Sequence, residues 1–283
     1  MDKPSQKKPI EKGFANFIGR KWDNKRQPQI TEAPAIQTVS TANVSARFTD
    51  EEAQKMADPH SPESFLICCV DSRFQPAKAL DYGPGTALEY RPIACVIPPA
   101  YKAEPDFKSK MAFRRLKEID TIIMVCHSDC GGCQAALTVP NPDPASEDDL
   151  HTVASFIHTS GLDIPLLAKG LLTIEKGNIK SAADLLAREV GVKSFYNLLG
   201  YKGRDEHATI GDEVKAGALN VMLLFYDLSK RSFDIYDPQE AEWKHTAACD
   251  WIGFKARGAL HRCADESRKV AVSLKKPYDG WLK

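Results

Sequence analysis

Short, continuous apolar segments separated by longer amphipathic ones dominate the middle of this chain. Residues 64–70, 121–126 and 220–227 are nearly unbroken runs of apolar side chains, a pattern typical of strands buried on both faces of a parallel sheet. A further strand is predicted over 86–91, after a Gly-Pro-Gly turn. Residues 232–236 are predicted to return antiparallel to the third apolar run as a hairpin.

Helical patterns lie between these predicted strands. Residues 106–118 and 130–137 are predicted to be helices, and at least two more helices are predicted within 151–199. Strands that alternate with helices indicate an α/β fold with a mainly parallel central sheet flanked by helices. In such a sheet, functional side chains gather at the carboxyl ends of the strands.

The chain is predicted to divide into one catalytic domain and two flanking segments. Residues 13–22 carry apolar side chains on one helical face, so 1–48 is interpreted as an N-terminal helical arm followed by a connector. The α/β pattern fills 49–236, which is the predicted catalytic domain. Residues 237–283 are interpreted as a C-terminal extension.

Composition narrows the functional class. The 38 basic residues balance 38 acidic ones, which argues against a nucleic-acid partner because such proteins usually carry a basic excess. No apolar run is long enough to span a membrane, and the N-terminus lacks the apolar region of a secretion signal. The expected location is the cytoplasm, where the eight cysteines would be reduced thiols that are available to a metal.

Two predicted strands end in residues suited to metal binding. The first is followed by Cys69, Asp71 and Arg73, and the second by His127 and Cys130. If the strands are neighbours, two thiolates and one imidazole converge, a ligand set that suits Zn²⁺. Three protein ligands leave a fourth position open, which is typical of catalytic zinc.

The residues around Cys69 refine this prediction. Cys68 and Cys69 are adjacent on a strand and therefore point to opposite faces, so only one reaches the site. Cys69 is chosen because it leads into the Asp-x-Arg segment. An ion pair between Asp71 and Arg73 would orient the carboxylate and lower its pKa, which makes both residues candidate catalytic groups.

In these motifs the chain resembles the β-class carbonic anhydrases. The resemblance rests on Cys-x-Asp-Ser-Arg at 69–73, Gly-x₅-Arg at 85–91 and His-Ser-Asp-Cys-Gly-Gly at 127–132, within a stretch covering roughly 60–236. It implies zinc-dependent reversible hydration of CO₂ to bicarbonate and a proton. It also implies a homodimer or a dimer of dimers.

The resemblance assigns roles to single residues. Cys69, His127 and Cys130 would be the zinc ligands, with Asp71 and Arg73 as the dyad beside the fourth position. Because the aspartate itself ligates zinc in a closed state of some members, Asp71 is also a candidate ligand. Backbone N–H groups near Gly131, where a helix begins, are suited to stabilising the substrate anion.

Several positions differ from the family's pattern. His60 stands where a Gln is usual, and Leu88 replaces a common Phe. Two frequent Asn residues are replaced by Pro92 and Cys95, and Cys126 replaces the Gly before the histidine. The metal and dyad positions are kept, so the differences concern the substrate pocket, where His60 and Leu88 are the candidate lining residues.

Three alternatives remain open at this point. The altered pocket could suit a hydrolase acting on carbonyl sulfide or carbon disulfide. A catalytically silent zinc protein would result if Asp71 permanently closed the fourth position. Cys126, Cys130 and Cys133 also have the Cys-x₃-Cys-x₂-Cys spacing of some [4Fe–4S] proteins, but that interpretation leaves His127 and the Cys69 motif unexplained.

Overall fold

The fold is seen in a computed structural model, in which residues 48–238 and 240–246 are described. The predicted helix at 13–22 and its connector up to residue 47 lie outside the described residues, as do residues 247–283 of the predicted C-terminal extension. None of the described helices is both long enough and apolar enough to cross a membrane.

Six strands form one mixed sheet in the order β2-β1-β3-β4-β5-β6. The first four strands in this order are parallel, and β5 and β6 run antiparallel to their neighbours. The strands are β1 (Ser64–Cys68), β2 (Ala87–Tyr90), β3 (Thr121–His127), β4 (Asn220–Asp227), β5 (Ser232–Asp237) and β6 (Glu242–Thr246).

Eight α-helices are found among the described residues, with short 3₁₀ turns at Ile93–Cys95 and Ala100–Lys102. The helices are α1 (Asp50–Ala57), α2 (Pro76–Ala79), α3 (Pro105–Leu116), α4 (Gly131–Thr138), α5 (Asp149–His158), α6 (Ile164–Ile174), α7 (Ile179–Leu199) and α8 (Ile210–Lys215). Three successive helices begin at a side chain that accepts backbone N–H groups of the first turn: Asp148, Asp163 and Asn178. Such caps satisfy donors that a helix leaves free at its start.

Successive side chains of the central strands point to opposite faces of the sheet, where they pack into two separate apolar cores. Phe65, Ile67 and Cys69 face the larger core, to which α7 contributes a long buried face, whereas Leu66 and Cys68 face a smaller core on the other side. The choice between the adjacent cysteines thus follows from the two-residue period of a strand. Cys69 lies on the side covered by α4 and α7.

The predicted α/β fold is confirmed, and its strands match closely. β4 has the predicted bounds, and β1, β2 and β3 differ from theirs by one or two residues. β6 was not predicted and lies within the segment interpreted as an extension. Glu242, Lys244 and His245 make this edge strand too polar to stand out as an apolar run.

Candidate metal centre

Cys69, His127 and Cys130 come together at the carboxyl ends of β1 and β3. Their ligand atoms all lie within 4.8 Å of one another, and the two Sγ atoms are 3.9 Å apart. Each of the three side chains is almost completely buried. The parallel register that pairs Cys68 with Val125 brings the two strand ends level, so residues 58 positions apart in the sequence meet as predicted.

His127 presents one ring nitrogen to this cluster. Its Nδ1 lies 2.8 Å from the carbonyl oxygen of Ser128, which requires Nδ1 to carry the proton and leaves a lone pair on Nε2. Nε2 is buried and has no hydrogen-bond partner among the described residues. A buried polar atom without a partner is unfavourable, whereas a metal ion at the cluster would use this lone pair.

When no cation is bound, the surroundings of Cys69 and Cys130 disfavour the thiolate form of both side chains. The hydrogen bond with Cys130, together with burial, raises the pKa of Cys69 well above its usual range. A hydrogen bond with Cys133, together with burial, raises the pKa of Cys130. The backbone N–H of Ala94 donates to Cys69 Sγ over 3.2 Å. A divalent cation would reverse the balance in favour of thiolates, so these residues fit zinc.

Asp71 and Arg73 form a dyad beside the three ligands. The Arg73 Nε donates to Asp71 Oδ1 at 3.0 Å, and its Nη2 donates to Oδ2 at 2.7 Å. Burial opposes ionisation of the carboxyl group, but the hydrogen bonds from Arg73 outweigh it and lower the pKa of Asp71. Oδ2 lies 4.0 Å from His127 Nε2, so an ionised carboxylate stands next to the ligand cluster.

Arg91 has a role that the sequence analysis missed. Its guanidinium group donates to the backbone carbonyls of Cys69, Asp71 and Phe74 over 2.7–3.1 Å. One side chain therefore fixes the loop that carries a ligand and the dyad. The signal available in the sequence was the Gly-x₅-Arg segment, in which Arg91 was noted without a function.

Asp129 is a second residue whose role was missed. Its Oδ2 accepts a 2.7 Å hydrogen bond from Arg73 Nη1, and its backbone carbonyl accepts another from Nη2. Arg73 thus joins the loop after β1 to the loop after β3. The sequence places Asp129 between His127 and Cys130, which was the only sign that it belongs to the site.

The three predicted substrate-binding residues lie in different places. Gly131 is the first residue of α4, next to Cys130. Leu88 is half-buried on β2 and packs against the larger core. His60 is exposed ahead of β1, at the opposite end of that strand from Cys69, and its ring stacks on Phe113. Their part in substrate binding stays a prediction.

The cysteines of the iron–sulfur alternative are not assembled into a site. Cys126 Sγ donates to the carbonyl of Leu224 over 3.4 Å and lies against Gly191, where an added Cβ would be 2.9 Å from that sulfur. Among the described residues, the group able to hold a metal ion is Cys69, His127 and Cys130. The Gly-to-Cys change at 126 is accommodated by the glycine on α7.

Comparisons with known proteins agree with this geometry. The family described as carbonic anhydrase matches residues 64–232. Beta carbonic anhydrase 5, chloroplastic, from Arabidopsis thaliana is 31% identical over 109 residues, which are 38% of this chain and 34% of that protein. The chain therefore matches about a third of the length of this curated relative.

Solved structures share the fold. The β-carbonic anhydrase CcaA superimposes with a TM-score of 0.58 at 19% identity, over 73% of this chain and 86% of that one. One of two tetrameric β-carbonic anhydrases from Sordaria macrospora superimposes with a TM-score of 0.52 at 22% identity, over 69% and 90%. Because the family match spans more than half of the chain and contains every residue of the ligand cluster, this protein belongs to the β-carbonic anhydrase family.

Proposed function

We propose that the protein is a zinc-dependent carbonic anhydrase that reversibly hydrates CO₂ to bicarbonate and a proton. The observation that carries this proposal is the buried, unpartnered Nε2 of His127, which faces two thiols and stands beside the Asp71–Arg73 dyad. Cys69, His127 and Cys130 would hold the zinc. When bound, zinc supplies Lewis-acid activation of water near neutral pH, for which carbonic anhydrase is the standard example.

The dyad would handle the proton in this reaction. Asp71 is kept ionised by Arg73, so its Oδ2 is available to accept a hydrogen bond or a proton from a reacting group next to the ligands. The N–H groups at the start of α4, near Gly131, would stabilise the developing anion. Arg91 holds the backbone of the Cys69–Asp71 loop, which limits the movement of both residues.

An open fourth position is favoured over a closed one. Both carboxylate oxygens of Asp71 already accept hydrogen bonds from Arg73, and ligation of a metal by Asp71 would compete with these bonds. This observation supports an enzyme over a silent zinc protein. The choice among CO₂, carbonyl sulfide and carbon disulfide depends on the substrate pocket. Leu88 and His60 stay the candidate lining residues, although within the same chain His60 lies at the far end of β1 from Cys69.

We also propose a homodimer or a dimer of dimers. A related protein of the same fold is tetrameric, and large apolar side chains are exposed on the surface of this chain, with Tyr101 81% and Leu116 78% exposed. Light scattering coupled to gel filtration would give the assembly. Cytoplasmic location and the absence of a nucleic-acid partner stay predictions, and cell fractionation tests the former, since the Arabidopsis relative is named chloroplastic.

The deciding experiment combines metal analysis with stopped-flow CO₂ hydration at mildly alkaline pH. We expect one zinc ion per chain and hydration well above the uncatalysed rate. Cys130→Ser should lose both the metal and the activity, whereas Cys68→Ser, which alters a buried thiol in the smaller core on the other face of the sheet, should keep the zinc. A zinc-loaded protein without hydration activity contradicts the proposal, and hydrolysis of carbonyl sulfide or carbon disulfide by that protein would redirect it.

A further inference from the structure

Arg73 is shared between two carboxylates, and only one of them belongs to the dyad. On one side its Nε and Nη2 bond Asp71, and on the other its Nη1 bonds Asp129 Oδ2 at 2.7 Å. Nη2 also donates to the backbone carbonyl of Asp129 at 2.7 Å. The guanidinium group is therefore held from both sides, although the Arg73 side chain is 49% exposed.

Asp129 is itself fixed by two helices. Its Oδ1 accepts from Gln134 Nε2 of α4 at 2.9 Å and lies 3.4 Å from Lys180 Nζ of α7. Its backbone N–H donates to the carboxylate of Asp184, also on α7. One oxygen thus anchors the side chain to the helices, which leaves Oδ2 for Arg73.

The backbone of Asp129 indicates that this placement has an energetic cost. Its φ is 56°, in the left-handed region that residues other than glycine adopt only at a cost, which Asp and Asn tolerate best. The conformation turns the chain between His127 and Cys130 so that the Asp129 carboxylate faces Arg73 while both ligands face the cluster. Strain maintained beside a site commonly has a functional reason.

We infer that Asp129 is a positioning residue that holds Arg73 and, through it, keeps the Asp71 carboxylate aligned with the metal ligands. This inference rests on the proposed function and deepens it. An exposed arginine paired with a single carboxylate is weakly ordered, because water screens the pair and the long side chain regains its rotamers. The second carboxylate removes that freedom, so Asp71 keeps a fixed partner.

Two substitutions separate this role from a general loss of structure. Asp129→Gly deletes the carboxylate and suits the positive φ, and Asp129→Asn keeps the shape with a weaker acceptor. We expect kcat/KM for CO₂ hydration to fall by roughly 10- to 100-fold in the glycine variant, the size of effect that misplacement of a reacting group produces. The asparagine variant should lie between it and the wild type.

A second readout does not depend on turnover. In protein loaded with Co²⁺ in place of zinc, the visible absorption spectrum reports the surroundings of the metal. We expect Asp129→Gly to change this spectrum because the nearby Asp71 carboxylate moves. In an Asp71→Asn background the same substitution should change neither the spectrum nor the remaining activity, since Asp129 acts through Asp71.

The matched control is Asp234→Asn, which weakens the ion pair between Asp234 on β5, two strands from β3, and Arg188 on α7. Asp234 and Asp129 are similarly exposed, at 22% and 25%, whereas Arg188 is less exposed than Arg73. It should leave both the spectrum and kcat/KM unchanged. The inference is overturned if Asp129→Gly leaves the spectrum and kcat/KM unchanged, or if it acts with full effect in the Asp71→Asn background. If the wild type hydrates no CO₂, the proposed function fails, but the spectra still decide the positioning role.

Discussion

Gly132 offers the sharpest test of how the surrounding packing supports the three proposed metal ligands. It is the second residue of α4, and a Cβ added there would lie 2.5 Å from Ile93 Cγ2 and 3.5 Å from the Cβ of Ala94. Since the N–H of Ala94 donates to Cys69 Sγ, the substitution Gly132→Ala pushes on the segment that stabilises a ligand. We expect it to weaken both the fold and zinc binding.

Two opposing effects set the expected change in the unfolding free energy. A methyl group forced into a packed core costs about 1–3 kcal/mol, and Ile93 has little room to yield because Ala94 and Cys95 already have φ values of 52° and 59°. Alanine gains up to about 1 kcal/mol over glycine in a helix. Subtracting the gain from the cost leaves an expected fall in the unfolding free energy of about 0–3 kcal/mol, with about 1–2 kcal/mol at the centre of that range.

The effect on zinc is estimated from the hydrogen bond to Cys69. A hydrogen bond to a charged group contributes about 1.5–3 kcal/mol. If between half and all of that contribution is lost as Ala94 moves, the dissociation constant for zinc rises about 3- to 140-fold, because 1.4 kcal/mol corresponds to a factor of about ten. This weakening would distinguish a displaced Ala94 from a simple loss of stability.

Urea unfolding of the zinc-free protein and competition with a chelator measure the two effects. Gly170→Ala in α6 is the matched control, because nothing lies within 4 Å of its added Cβ. This variant should be up to about 1 kcal/mol more stable than the wild type with unchanged zinc affinity. If Gly132→Ala behaves like Gly170→Ala, the proposed link between α4 packing and Cys69 is refuted.

Four further predictions address the ligands, the dyad, pH and a remote ion pair. Cys69→Ser should abolish zinc binding in metal analysis, because serine does not replace the thiolate; retention of stoichiometric zinc would contradict the assignment. Asp71→Asn should keep zinc but lose about 10²- to 10⁴-fold in kcat/KM, so unchanged turnover would remove Asp71 from the mechanism. Although burial opposes its ionisation, hydrogen bonds from the following turn lower the pKa of Asp227. Ionised Asp227 therefore stabilises the fold fully above the unfolded-state pKa of about 3.9, and this stabilisation is lost as the pH falls through the folded-state pKa. At acid pH the unfolding free energy should consequently fall less steeply with pH in Asp227→Asn than in the wild type. Arg114→Met should cost about 3–5 kcal/mol in denaturant unfolding, because the Arg114 guanidinium is fully buried and bonds the largely buried Glu213; a smaller loss would mean that Glu213 takes up a proton or reaches water.

The sequence predicted the strands well where burial leaves a continuous apolar run. Residues 220–227 are buried along most of their length, so the run and the strand coincide. β6 has the opposite character, because it lies at the edge of the sheet with Glu242 and Lys244 exposed. Edge strands carry charge on residues that interior strands fill with apolar side chains, so composition alone does not reveal them.

The clustering of Cys69, His127 and Cys130 was predictable from the sequence, whereas the side chains that support the cluster were less so. Cys69, His127 and Cys130 follow from residue chemistry and the strand-end rule. The bond between Arg73 and Asp129 joins residues 56 positions apart, and its direction depends on a positive φ that the sequence does not announce. Without a fold, a charged residue near a strand end looks the same whether it anchors an arginine or faces water.

The register between β1 and β3 decides which cysteine faces His127, so metal uptake indicates whether the two strands pair correctly. Cys68 and Cys69 are neighbouring thiols that face different cores, so a chain whose β1 slipped by one residue would turn Cys68 toward His127 and bury Cys69 on the other face. Such a chain would retain every ligand in its sequence and much of its sheet. Its Asp-x-Arg loop would also lie one residue out of place. A count of thiols would not detect this error because every cysteine is still present, whereas measuring the zinc content together with the folded fraction would.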